Sequence, residues 1–231
     1  MDAFLLLLRW FHFLFGITWI GILYYFNFVQ VPFFAETEPA VRSGAIQKLV
    51  PRALWWFRWG AMGTVIVGFL YLIIWWAQLG WAISSWTVAI LTGGTLGIIM
   101  FLNVWLVIWP NQRIVIASAV TVAGGGQADP QAAPAGRRAG LTSRTNTVFS
   151  IPMLFFMAAA SHYSNLISAA TVGGVFGWLI LAGIVIALVE FNALSGTTGP
   201  AKKPLDSVQG AITSGFVLWL ILLVIIKITL G

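Results

Sequence analysis

Apolar segments of about twenty residues recur from one end of this sequence to the other. Each is long enough to cross a bilayer as a helix, in which every backbone polar group is bonded internally. Hydrophobic residues make up 60% of the 231 residues and charged residues 8%, so the polar surface of a water-soluble domain is lacking. We therefore predict an all-α integral membrane helical bundle that forms a single transmembrane domain over residues 1–231.

Six segments have the length and polarity of membrane helices. They cover residues 4–29, 53–77, 86–109, 143–162, 172–192 and 211–230. Pro152 lies inside the fourth segment, where it removes a backbone donor and is expected to kink the helix. The numerous tryptophans gather near the segment ends, as expected of side chains at the membrane–water interface.

The positions of the basic residues predict the orientation of the chain. Ten of the twelve Lys and Arg lie in or beside alternate connections, namely Arg42, Lys48, Arg52, Arg58, Arg113, Arg137, Arg138, Arg144, Lys202 and Lys203. Cytoplasmic loops carry this excess of positive charge, so both termini are expected outside a bacterial inner (cytoplasmic) membrane, which the chain crosses several times. Residues 123–140, with three consecutive glycines, are expected to form a flexible cytoplasmic loop. Topology thus accounts for the net charge of +6, and we expect no nucleic-acid partner.

His12 and His162 are the two histidines of the chain, and the topology places both in the outer half of the bundle. The sequence has no cysteine, which excludes disulfides, iron–sulfur clusters and covalent attachment of c-type haem. Two imidazoles can hold b-type haem without a covalent link, so both histidines are candidate metal ligands. Gly16 lies one turn deeper and would leave room for the macrocycle, and Arg9 lies one turn toward water and could pair with a propionate.

Other roles are open for these polar residues. The histidines could form structural interhelical hydrogen bonds or contact a quinone or a proton, and Arg9 could be an interfacial anchor. For the three asparagines in the apolar segments we prefer hydrogen bonding between helices to contacts with a polar substrate. They are Asn27, Asn103 and Asn146.

Three stretches of the sequence resemble a known family. They are Arg9-Trp10-Phe11-His12 with Trp19-Ile20-Gly21 and Tyr24-Tyr25-Phe26, then residues 103–112, and residues 145–163 with Ile151-Pro152 and Ser161-His162-Tyr163. Together they resemble the membrane domain at the N-terminus of bacterial cytochrome c-dependent urate oxidase, also called urate hydroxylase. In that family an outward-facing cytochrome c domain follows the membrane domain and receives the electrons taken from urate.

The resemblance implies a membrane redox protein, with His12 and His162 inside its motifs. Because the sequence ends at Gly231, directly after the sixth predicted helix, we expect any oxidoreductase activity to need a separate periplasmic cytochrome c. No catalytic residue is assigned. Two alternatives remain open: a non-catalytic subunit of a larger respiratory or photosynthetic complex, and a transporter for a purine or another small metabolite.

Overall fold

The computed structural model describes residues 2–231, except for the side chain of Asp2, and every regular element within them is helical. The elements are α1 (Asp2–Tyr24), a π-helical segment (Tyr25–Gln30), α2 (Val31–Glu36), α3 (Pro39–Gln78), α4 (Ser85–Leu102), a second π-helical segment (Asn103–Ile108), α5 (Trp109–Ala123), α6 (Ala132–His162), α7 (Val172–Leu194), a 3-10 helix (Pro200–Asp206) and α8 (Val208–Leu230). Each predicted membrane segment falls within one continuous helical stretch. The prediction of an all-α helical membrane bundle is confirmed.

Five of these stretches are long and apolar enough to cross a membrane. They are Ala3–Glu36, Pro39–Gln78, Ser85–Ala123, Val172–Leu194 and Val208–Leu230. The sixth predicted segment lies in α6, which is less apolar but has ten consecutive buried residues at 141–150. A helix buried on every face belongs to the interior of a bundle. The orientation with both termini outside stays a prediction.

Several helices extend beyond the apolar segments that predicted them. The second segment was predicted to begin at residue 53, whereas α3 begins at Pro39. The third was predicted to end at residue 109, whereas its helix continues to Ala123. A 40-residue helix is about 60 Å long and the hydrocarbon core is about 30 Å thick. The extra turns therefore lie beyond the hydrocarbon, beside the basic connections.

The loop expected over residues 123–140 is shorter than predicted, and the prediction is wrong for residues 132–140. Helix α6 begins at Ala132, and Ala135 and Ala139 are buried. Alanine favours helix, and Pro134 lies in the first turn, where its missing N–H costs no hydrogen bond. The prediction failed for residues 132–140 because their glycines, proline and arginines were interpreted as loop residues, whereas they form the first turns of α6.

The chain divides into two compact units, which we describe separately. Unit 1 holds the residues up to Leu70 together with Phe101–Asn146, and unit 2 holds Tyr71–Met100 with Thr147–Gly231. The single domain expected over residues 1–231 stays a prediction.

In unit 1, α1 packs closely on α3 at two glycines of α3. A Cβ atom at Gly60 would lie 3.1 Å from the backbone nitrogen of Trp19, and one at Gly63 would lie 2.6 Å from the ring of Phe15. Small residues let helices approach at such contacts. Gly60 and Gly63 therefore allow the close approach of α1 to α3.

In unit 2, α8 packs on α6 beside a proline. Helix α6 continues through Pro152, whose missing N–H leaves the carbonyl of Val148 without its usual helical donor. A Cβ atom at Gly215 of α8 would lie 3.0 Å from that carbonyl oxygen. The neighbouring helix thus covers the freed carbonyl, as is required of irregular backbone at membrane depth.

Candidate functional site

The imidazole of His12 is fixed by a backbone carbonyl of a neighbouring helix. His12 lies on α1 and is partly buried, and its Nδ1 lies 3.0 Å from the carbonyl oxygen of Thr64 on α3. Because a carbonyl oxygen only accepts, Nδ1 carries the proton and donates the hydrogen bond. The basic lone pair of Nε2 is left for another partner. Metal-bound histidines usually have this arrangement, in which the second nitrogen donates to a carbonyl and the ring gains basicity.

A glycine on α3 makes room for this ring. A Cβ atom at Gly68 would lie 2.7 Å from Cε1 and 2.8 Å from Nδ1 of His12, closer than real Cβ contacts allow. Gly68 lies one turn beyond Thr64 on the same helix. The sequence of α3 therefore supplies both the acceptor for the ring and the space that the ring occupies.

The two other residues predicted beside His12 lie on the same face of α1, one turn to either side. Arg9 is exposed. A Cβ atom at Gly16 would meet only the methyl group of Thr64, at 3.9 Å, so a side chain is missing where there is room for one. The structure thus groups Arg9, His12 and Gly16.

The second predicted ligand, His162, is the exposed last residue of α6. It belongs to unit 2 and His12 belongs to unit 1, so their pairing on one metal stays a prediction. In the part of the chain that the structure describes, no group of three or more His, Asp or Glu side chains could hold a metal ion. A haem iron takes most of its ligands from the macrocycle and needs fewer from the protein.

A second concentration of polar groups in unit 1 involves the three asparagines, and we call Asn27, Asn103, Ser143 and Asn146 the buried amide cluster. All four residues are at most 9% exposed. The amide nitrogen of Asn27 donates to the hydroxyl of Ser143 at 2.8 Å, and that of Asn103 donates to the side-chain oxygen of Asn146 at 2.9 Å. The predicted hydrogen bonding between helices is confirmed for these asparagines.

Both π-helical segments contribute to this cluster. Asn27 lies in Tyr25–Gln30 and Asn103 lies in Asn103–Ile108. Such widened turns are rare and often occur at functional sites. Gln30 ends the first segment, and its buried side-chain oxygen has no hydrogen-bond partner within residues 2–231. It is an acceptor that a ligand or water with an N–H or O–H group could satisfy.

Arg144 was not predicted as a site residue: it was counted with the basic residues beside a connection, although it lies inside the predicted segment 143–162. Arg144 lies in α6 between Ser143 and Thr145 and is 7% exposed. The signal was the absence of Gly and Pro between Gly140 and Pro152, which allows the helix to continue through a polar run. A buried guanidinium group is therefore a chain neighbour of Ser143 in the buried amide cluster.

Comparison with known proteins identifies the family. Residues 76–225 match the family described as Urate oxidase N-terminal, which is more than half of the chain. No curated protein and no solved structure matches the chain. The matched region holds His162, Asn103 and Asn146, and α1 with His12 lies outside it. This protein, with its long apolar helices, belongs to the urate oxidase N-terminal family.

Proposed function

We propose that this chain is a membrane redox protein of the urate oxidase type in which His12 would bind the iron of a b-type haem. The observation that carries the proposal is the hydrogen bond from His12 Nδ1 to the Thr64 carbonyl, which leaves Nε2 free to bind a metal. Family membership supports a urate oxidase-like membrane domain. The residues present fit the group, because the ring has a fixed tautomer and a glycine beside it.

The neighbouring residues have defined roles in this proposal. Thr64 orients the imidazole through its carbonyl, and Gly68 leaves the space for the ring. Arg9, one turn away, would pair with a propionate, and Gly16 would leave room beside α1. His162, in unit 2, is proposed separately as a haem ligand. When bound, the haem supplies one-electron transfer, with its potential set by the axial ligands and by burial.

The partner proposed for this function is an electron carrier at the outer face, of the cytochrome c type. Electrons would come from a quinol or from a substrate such as urate. The chain could instead be a subunit of a larger membrane complex. His12 and His162 would then be the candidate haem ligands of that complex.

The test is the haem content of purified variants. We expect His12→Ala to remove the reduced-minus-oxidised visible signal, because the fixed imidazole is lost. His162→Ala should lower haem retention or change the spectrum, since this proposed ligand is removed. Gly21→Ala is the matched control on α1, because a Cβ atom there meets nothing within 4 Å. A folded His12→Ala protein that keeps the full signal would overturn the assignment of His12.

A second candidate function is recognition of a small purine-like metabolite, favoured by the unsatisfied side-chain oxygen of Gln30. The test is uptake of labelled urate into liposomes that contain only this protein. Gln30→Leu should reduce uptake strongly if this acceptor binds the substrate, and Gln47→Leu is a control, since Gln47 bonds only to Ser43 on its own helix. No uptake by the unmodified protein would remove transport as a function.

A further inference from the structure

Two arginines of unit 1 lie against the ring of one tryptophan. Trp109 is the first residue of α5. The guanidinium carbon of Arg58, on α3, lies 3.5 Å from the centroid of this ring, and that of Arg113, one turn further along α5, lies 5.9 Å from it. Arg58 also lies 5.3 Å from the ring centroid of Trp105. The aromatic faces hold these two positive charges close together.

Arg58 and Arg113 have no acidic partner among the side chains that the structure describes. No carboxylate of residues 3–231 forms an ion pair with either of them. The Nε atom of Arg58 donates to the carbonyl of Leu54 at 3.3 Å, and no further hydrogen bond of this side chain is made. The charge of Arg113 acts repulsively on Arg58. An anion between the two guanidinium groups would relieve this repulsion and accept their remaining N–H groups.

The predicted topology places the pair near the phosphates of the cytoplasmic leaflet. Arg58 lies in the second turn of the second apolar segment and Trp109 ends the third, and both segment ends border the basic connections at the predicted cytoplasmic edge of the membrane. Trp59 contacts Trp105 there, with ring centroids 5.7 Å apart. Tryptophans prefer the headgroup level of a bilayer. Basic pockets between membrane helices on the cytoplasmic side are typical sites for anionic headgroups.

We propose that Arg58 and Arg113, held by Trp109, bind the phosphate of an anionic phospholipid of the cytoplasmic leaflet. A free phosphate ion would offer the same oxygens, but the surface beside the pair favours a lipid. Trp55, Trp56 and Trp59 are 48%, 58% and 46% exposed. These rings offer an apolar surface that the glycerol and upper acyl chains of a phospholipid can contact. A free phosphate ion has no apolar part that could contact it. The site is independent of the proposed redox function.

The test is lipid retention measured by native mass spectrometry. The full chain is reconstituted in nanodiscs of phosphatidylcholine with phosphatidylglycerol, and the retained lipids are counted after release. We expect enrichment of phosphatidylglycerol on the unmodified protein and a fall of about fivefold in Arg58→Gln and again in Arg113→Gln. Arg52→Gln is the matched control, because Arg52 is an exposed arginine of α3 without a contact to Trp109. It should retain the lipid.

Each other result overturns the proposal. An equal loss in Arg52→Gln would mean that general surface charge attracts the lipid. Displacement of phosphatidylglycerol by millimolar inorganic phosphate would identify a site for the free ion. If Arg58→Gln does not fold, Arg113→Gln decides the question, because its side chain is exposed. Unchanged retention in that variant would reject the pair as a lipid site.

Discussion

The two compact units fill an apolar interior in different ways. In unit 2, backbones approach at glycines, as at Gly215 beside the Val148 carbonyl and at Gly174 beside Thr229. In unit 1, side-chain hydrogen bonds join helices, as between Asn103 and Asn146, and a histidine ring is fixed on a carbonyl. Unit 1 also holds nine of the twelve Lys and Arg. Close glycine contacts occur in both units, at Gly60 in unit 1 and at Gly215 in unit 2, so the comparison teaches that unit 1 differs by the polar groups that it carries in addition.

The largest effect should come from a glycine of unit 2. A Cβ atom at Gly174 would collide with the backbone carbonyl oxygen of Thr229, which cannot rotate away. We expect Gly174→Ala to destabilise the protein by about 3 kcal/mol, because α7 and α8 must separate. Gly173→Ala is the adjacent control, since nothing lies within 4 Å of its Cβ position. Thermal unfolding in detergent measures both, and equal midpoints would contradict the close-packing account of unit 2.

The next effect should come from the amides of unit 1. Asn146→Leu removes the hydrogen bond that the Asn103 amide nitrogen donates to Asn146, so we expect a loss of about 1–2 kcal/mol. The double variant Asn103→Leu with Asn146→Leu removes both partners. It should cost less than the sum of the two single variants, and simple additivity would show that the bond contributes nothing.

A smaller effect on stability, with a larger one on the site, is expected at Gly68. In Gly68→Ala the new methyl group must displace the His12 ring and break its bond to Thr64. The unfolding free energy should fall by about 1 kcal/mol, and haem content should fall much more than stability. Gly21→Ala again serves as the control. If folded Gly68→Ala protein keeps its full haem content, haem binding does not depend on the position of the His12 ring against α3.

The smallest effect should come from the exposed cation of unit 2. Lys227 Nζ donates to the carbonyl of Asn165 at 3.0 Å and lies 5.3 Å from the ring centroid of Tyr163. Exposed charged contacts of this kind contribute little, so Lys227→Met should change stability by less than about 1 kcal/mol. A larger loss by the same unfolding assay would mean that this end of unit 2 depends on polar contacts after all.

Apolar length located all five helical stretches that are long and apolar enough to cross a membrane, because a segment that crosses hydrocarbon must satisfy its backbone polar groups internally. The same signal could not find the helical turns before residue 53 or after residue 109, since those turns lie outside the hydrocarbon. Arg144, the second residue of the predicted segment 143–162, was counted with the basic connections, because a basic residue near the end of an apolar segment normally marks an interface.

The sequence predicted several residues of the candidate site but not the contacts between them. Rarity singled out His12 and the asparagines as polar groups in apolar segments. The partner of His12 is a backbone carbonyl, which has no sequence signature, and Gly68 is one of many glycines. The two π-helical segments, Tyr25–Gln30 and Asn103–Ile108, were not expected.

The most direct test of the central claim is a pyridine haemochrome assay on the purified, unmodified protein, which counts haem b per chain. The account predicts close to one haem b per chain, with a sharp alpha band in the dithionite-reduced spectrum. A featureless spectrum from folded protein grown with ample haem would contradict the assignment of His12 as a haem ligand.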